Sequence, residues 1–82
     1  MSTIEHSVRS IWVKFLNLEN IDHEGDFFEL GGDSILALNM LFETSAELGV
    51  DIPPVALFEN PTLREFSKFV ELQLAATKEP AR

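Results

Sequence analysis

The chain has 82 residues, with 14 acidic side chains against 6 basic ones for a net charge of −8, and no cysteine. That length supports one small domain with a net stability of about 4–12 kcal/mol, and the missing cysteines exclude disulfides, thiolate metal sites and thiol catalysis by its own side chains. The acidity argues against nucleic acid, which demands a basic footprint; no apolar run approaches the roughly 20 residues of a membrane span, and no basic-then-apolar leader opens the chain. The expectation is a soluble monomer of the cytoplasm, with neither nucleic acid nor membrane as partner.

Thr3 to Leu16 has helical periodicity, with Ile4, Val8, Ile11, Trp12 and Phe15 on one stripe. Ser2 and Glu5 have the spacing of a capping box. Asn17 to Asp33 reads as a long acidic loop with apolar anchors at Leu18, Ile21, Phe27, Phe28 and Leu30. A loop of that length inside a compact domain is commonly functional, and the paired phenylalanines are expected to pin it to the core, one of them only partly covered. A second helix is predicted from Ser34 to Leu48, stopping at Gly49. At 100° per residue, Ile35, Leu38, Leu41, Phe42, Ser45 and Leu48 share one face, and Leu36, Asn39, Met40, Glu43 and Glu47 the other.

Pro53-Pro54 interrupts the chain, and a short helix over Val55 to Glu59 would bury Val55 or Leu57 together with Phe58. Thr62-Leu-Arg-Glu65 fits a second capping box and opens a helix to about Leu74, with Leu63, Phe66, Val70 and Leu74 turned inward. Ala75 to Arg82 loses the apolar period and reads as a flexible C-terminal tail after a domain of residues 1–74. No repeat, strand or hairpin signal occurs. Three longer helices and a short one make an all-α, four-helix bundle.

The run Asp26-Phe-Phe-Glu-Leu-Gly-Gly-Asp-Ser34-Ile-Leu-Ala-Leu38 carries the functional signal. It sets one hydroxyl after a glycine-loosened turn, at the start of an apolar-periodic helix. No Lys or Arg occurs between Phe15 and Leu63, so Ser34 lies amid acids. Those acids read equally as a solvated face and as a field that steers basic partners. A Ser or Asp at a helix start is usually a cap contributing about 1 kcal/mol; if Asp33 fills that place, Ser34 stands at the first helical position with its hydroxyl outward. Free N–H groups and the helix dipole would favour a phosphodiester there, and the Asp33 charge would oppose it. Leu36 and Met40, among Glu43 and Glu47, read as an exposed apolar strip with acidic guide posts, suited to partner docking.

These residues, with Ile11-Trp12, Leu48-Gly-Val50 and Leu57-Phe-Glu-Asn-Pro-Thr-Leu63, resemble the peptidyl carriers of nonribosomal peptide synthesis over nearly the whole chain. Gly31-Gly32 before Asp33 is more similar to peptidyl than to fatty-acid carriers. The resemblance implies a four-helix carrier bundle in which Ser34 is the covalent attachment site of 4′-phosphopantetheine, supplied by coenzyme A. It places Asp33 beside that site, with a part in metal binding by the modifying enzyme, and Leu36 and Met40 among the partner contacts. It further implies a phosphopantetheinyl transferase, an adenylation enzyme that loads an aminoacyl thioester, and condensation, tailoring or thioesterase enzymes that receive it. The second helix departs from many modular peptidyl carriers: it has Asn39 and no cation, and Glu43 and Glu47 are more reminiscent of freestanding carriers. With an opening at Met1 and a single domain, this favours a freestanding carrier acting in trans.

Enzyme readings find no support in the residues. Gly32-Asp-Ser34-Ile-Leu36 lacks the closing glycine of a nucleophile elbow, no signal brings His6 or His23 to Ser34, and 82 residues scarcely enclose a pocket. Asp22, Glu24 and Asp26 alternate like calcium ligands, but Phe27 stands where the turn needs Gly, and no metal site is expected. Two alternatives remain: a carrier of a non-amino acyl group, aryl or polyketide, and a non-covalent acidic helical interaction module in which Ser34 is only a cap.

Overall fold

The computed structural model describes residues 3–78. They form four helices: α1, Thr3–Leu16; α2, Ser34–Leu48; α3, Val55–Glu59; and α4, Leu63–Lys78. The all-α bundle expected from periodicity is the observed architecture. α1 lies at its centre, packed on α4 and α2, while α3 packs on α4. The Ser2 cap lies outside the described residues. α4 runs beyond the expected end at Leu74, so Ala75 to Lys78 are helical rather than a tail; Ala75 and Ala76 are strong helix formers and need no apolar period to continue a helix that packing has already nucleated. Residues 79–82 of the expected tail are outside the described residues.

The predicted helix ends are chemically real. Thr62 Oγ1 accepts from Glu65 N–H at 3.1 Å, and the Glu65 carboxylate accepts in return from Thr62 N–H at 3.4 Å, a reciprocal capping box. α2 ends where Gly49 takes φ 67° and donates its N–H to the Ser45 carbonyl, a left-handed stop that glycine adopts without penalty.

The core draws on all four helices and the loop: Val8, Ile11 and Trp12 of α1; Ala37, Met40 and Leu41 of α2; Ala56 and Leu57 of α3; Leu63, Phe66 and Val70 of α4; and Ile21 and Phe27 between α1 and α2. Two expectations about which side chains it takes fail. Val55 and Phe58 of α3 are exposed and Ala56 is buried with Leu57, because a helix of five residues, set on α4, can turn only one narrow edge inward. The larger reversal concerns α2. Met40, placed on its outer face, is wholly buried; Ile35 and Phe42, placed inside, are 71% and 78% exposed, and Leu38 is exposed too. Ile35, Leu36, Ala37, Leu38, Met40, Leu41 and Phe42 are apolar on nearly every side of the helix, so the pattern leaves more than one face eligible. Packing selects Ala37, Met40, Leu41 and Thr44, an i, i+3, i+4, i+7 set. The buried Thr44 hydroxyl is satisfied within the helix by the Met40 carbonyl at 2.8 Å.

The long loop is fixed by one ring and a short ladder. Phe27 is wholly buried, its ring edge-on to Trp12 at 5.1 Å, and Phe28 is partly covered beside it, as expected of the pair. Phe27 N–H donates to the Pro61 carbonyl at 2.8 Å, while Leu63 and Arg64 N–H donate to Gly25 and His23 at 2.9 Å each. The loop thus pairs with the α3–α4 connection. Its last turn folds back on the ring: a Cβ on Gly32 would lie 2.3 Å from Phe27 Cε2 and 2.8 Å from the Phe27 carbonyl oxygen. Only glycine fits there. Gly32→Ala should cost about 1–3 kcal/mol, the usual range for overpacking a core that cannot yield, and lower the melting temperature by roughly 5–20 °C for a chain this short. A thermal melt within about 2 °C of the parent protein would contradict that contact.

Candidate functional site

Asp33 occupies the N-cap of α2 with extended backbone, φ −128° and ψ −176°, and its carboxylate accepts from Leu36 N–H at 2.8 Å. Its carbonyl accepts from Ala37 N–H at 2.8 Å. The carbonyl bond is the first of the helix ladder, so the cap uses one of the donors that a helix start leaves over, Leu36 N–H, and those of Ser34 and Ile35 stay free. Because Asp33 caps the helix, the Ser34 hydroxyl is not needed for that purpose. It stands exposed at the first helical position, as the sequence predicted.

Ser34 also lies on the wall of an apolar cleft of about 210 Å³, formed with Ala37, Leu38 and Leu41 of α2 and with Pro54 and Phe58 across from them. The Phe58 ring stacks on Phe28 at 5.1 Å with 10° between planes. Phe28 in turn meets Phe27 edge-on at 5.5 Å. The aromatic chain Trp12–Phe27–Phe28–Phe58 thus links α1 to the far wall of the cleft. Beside it, Ile35, Leu38 and Phe42 form an exposed stripe at helical spacing, with Phe58 of α3 across the cleft.

The side chains expected to form the exposed strip on α2 are placed differently. Met40 is in the core with its sulfur 3.3 Å from the Thr44 hydroxyl, and Leu36 is half-buried against the core; neither forms the outer strip. Glu43 is tied by an ion pair to Lys14 of α1. Glu47 is exposed and stays available. Ile35, Leu38 and Phe42 take the outer role instead. The signal that could have found them is Thr44: a threonine three residues past Leu41, able to bond its own helix backbone, fits the inner face as well as an apolar residue does.

The acidic block is less uniform in space than in sequence, since Glu24 pairs with Arg64 and Glu43 with Lys14. The Asp26 carboxylate is spent inside the loop on Phe28 and Glu29 N–H at 2.9 and 3.0 Å. Asp33, Glu47, Asp51 and Glu59 are exposed. His6 is exposed on α1, and His23 sits with Nδ1 3.3 Å from the Glu5 carboxylate; neither lines the cleft at Ser34. The arrangement offers a hydroxyl to be modified, two free N–H groups for a phosphate, and an apolar wall for a thin organic chain. It fits a phosphopantetheine group.

Comparison with known proteins points the same way. The sequence matches the family described as phosphopantetheine attachment site over residues 6–70. Tyrocidine synthase 3 of Brevibacillus parabrevis is 39% identical over 67 residues, covering 82% of this chain and 1% of that protein. The chain therefore spans only a very small part of the length of that relative. The peptidyl carrier protein solved in complex with the phosphopantetheine transferase Sfp and coenzyme A superposes with a TM-score of 0.83 at 25% identity, covering 88% of this chain and 94% of that one. The McyG A-PCP structure with phenylalanyl-adenylate gives 0.79 at 29% identity, covering 84% of this chain and 11% of that one. Matched to that family over residues 6–70, the chain belongs to the phosphopantetheine attachment-site family of carrier proteins, whose cofactor is 4′-phosphopantetheine derived from coenzyme A.

Proposed function

We propose that this chain is a peptidyl carrier protein that is modified on Ser34 and conveys aminoacyl or peptidyl cargo, in thioester linkage, between biosynthetic enzymes. The observation that carries this reading is the Ser34 hydroxyl, exposed at the first position of α2 because Asp33 fills the cap, at the mouth of an apolar cleft. The likeness to tyrocidine synthase 3 and to the carrier bound by a phosphopantetheine transferase supports the peptidyl type. When bound, the group supplies a terminal thiol on a long tether, a sulfur that this chain, with no cysteine, lacks.

Ser34 Oγ forms the new bond to the β-phosphorus of coenzyme A while the pyrophosphate P–O bond breaks, the adenosine bisphosphate leaves, and the hydroxyl proton passes to a base of the transferase. The free Ser34 and Ile35 N–H groups and the dipole of α2 stabilise the resulting phosphodiester. Asp33, adjacent and anionic, offers a ligand to the transferase's magnesium and offsets its own repulsion of the phosphate in that way. The chain acts as a substrate of its partners rather than as a catalyst, as a single copy, in the cytoplasm where coenzyme A is made available. Those partners are the transferase, an adenylation enzyme, and condensation, tailoring or thioesterase enzymes.

Ile35, Leu38 and Phe42, with Phe58, form the surface those enzymes read, and Asp33 and Asp51 attract basic rims toward it. This surface takes over the role that sequence reasoning gave to Leu36 and Met40.

Incubation with coenzyme A, magnesium and a broad-specificity transferase should add one phosphopantetheine to the parent protein and none to Ser34→Ala, as read by intact mass. A folded parent protein left unmodified, beside a carrier that is modified in parallel, would overturn the carrier reading in favour of a non-covalent interaction module. Ile35→Asp should lower kcat/KM for aminoacyl loading by about tenfold or more, the scale of an interface anchor, with the melting temperature unchanged. Loading at the parent rate would remove the apolar stripe from the docking surface.

A further inference from the structure

The cleft at Ser34 does not end at Leu41. A second open cleft, of about 380 Å³, shares Leu38, Leu41 and Pro54 with the first and adds Phe42, Ser45, Asp51 and Ile52. Residues 34, 37, 38, 41, 42 and 45 follow one another at steps of three and one along a single edge of α2. Residues 51–58 supply the opposite wall. The two clefts are one trough that starts at the attachment hydroxyl.

Its length and chemistry are both specific. Ser34 and Ser45 are separated by about 17 Å at 1.5 Å per helical residue. The phosphopantetheine tether, with about fourteen bonds from the serine oxygen to the sulfur, reaches roughly 17 Å at the ~1.2 Å per bond of an extended chain. A thiol laid along the trough therefore arrives at its far end. The near end is apolar, walled by Ala37, Leu38, Leu41, Pro54 and Phe58. At the far end the character changes: the cleft is lined by the exposed Phe42, by Ile52, and by the polar residues Ser45 and Asp51.

The Asp51 side chain is exposed and has no ion pair or hydrogen bond among the described residues, while its backbone is held by Gln73 Nε2, which donates to the Asp51 carbonyl at 3.2 Å. An exposed, unneutralised acid lining the same cleft as an aromatic ring and an apolar side chain suits one kind of cargo. We infer that the far end of the trough is a resting site for an α-aminoacyl group with an apolar side chain, its ammonium on Asp51 and Phe42 and its side chain on Phe42 and Ile52. This rests on the carrier reading and narrows it to cargo with a free amine. An ammonium gains from both the carboxylate and the ring face, whereas a fatty, aryl or polyketide acyl group would leave Asp51 unmatched.

The test attaches cargo at Ser34 with coenzyme A analogues in which phenylalanine, or 3-phenylpropionate, is joined through an amide in place of the labile thioester. Intact mass verifies each product, and amide chemical shifts are compared with those of the protein carrying phosphopantetheine alone. Phenylalanyl cargo should move the resonances of Leu38, Phe42, Ser45 and Ile52. The 3-phenylpropionyl cargo, and phenylalanyl cargo on Asp51→Asn, should at least halve those shifts, matching the about two- to fivefold gain of an exposed ion pair. Asp51→Asn is an exposed change, and its unloaded spectrum reports that the fold is kept. Shifts confined to the neighbourhood of Ser34, or equal shifts with and without the amine, would overturn the resting site while leaving the carrier reading standing. A mass showing no attachment at Ser34 would overturn both.

Discussion

The ring of Phe27, wholly buried and edge-on to Trp12, holds the loop that delivers Ser34 to the body of the bundle. Burying such a side chain contributes about 1.5–3 kcal/mol, a large share for a domain whose total is about 4–12 kcal/mol. The same ring dictates the residue at position 32, since any Cβ there would enter it. Gly32 can then close a turn onto the Phe27 carbonyl, donating its N–H at 3.0 Å, and the next residue, Asp33, is delivered in the extended conformation that an N-cap needs. Sequence, packing and chemistry are joined in eight residues: the ring fixes the turn, the turn fixes the cap, and the cap frees the serine.

α2 has two duties, and its composition follows from them. One face, Ala37, Met40, Leu41 and Thr44, closes the core against α1. Another, Ile35, Leu38 and Phe42, stays bare beside the attachment site. A helix serving only stability would place polar residues there, because exposed apolar area gains nothing from folding. Retaining it is consistent with a surface that is covered intermittently by other proteins. The ion pairs Lys14–Glu43 and Arg64–Glu24 neutralise acids away from this surface, so that uncompensated carboxylates at Asp33, Asp51 and Glu59 remain at the ends of α2 and α3.

Much of this was legible in the residues. Helix starts and stops were readable because caps are local chemistry: Asp33, Gly49 and Thr62–Glu65 act through neighbours within a few positions. The burial of Phe27 over Phe28 followed from a loop that had to be anchored. The inner face of α2 was not legible, because a helix apolar on almost all sides has no dominant moment, and only packing on α1 and the core decides which stripe is covered. Of the α3 expectation, Leu57 is buried as the alternative to Val55 had it, while Phe58 is exposed, since α3 is too short for periodicity to discriminate. The end of α4 was missed because alanines continue a helix without leaving an apolar pattern. The outward hydroxyl of Ser34 followed from cap logic, with Asp33 in the cap; the proposal that it is an attachment site rests on its motif.

The most direct check on this account is amide hydrogen exchange on the protein before any modification, because a rigid mount for Ser34 is a statement about the native loop. Phe27, Gly32, Leu63 and Arg64 N–H are bonded across the loop and its neighbours, and should exchange only through openings comparable to those of the helices. Asp33-capped Leu36 should be protected as well, while Ser34 and Ile35 exchange freely. Exchange at Phe27 and Gly32 as fast as in an unfolded chain would contradict the account, for the serine would then be carried on a loose strand and the Phe27 ring would not be what presents it.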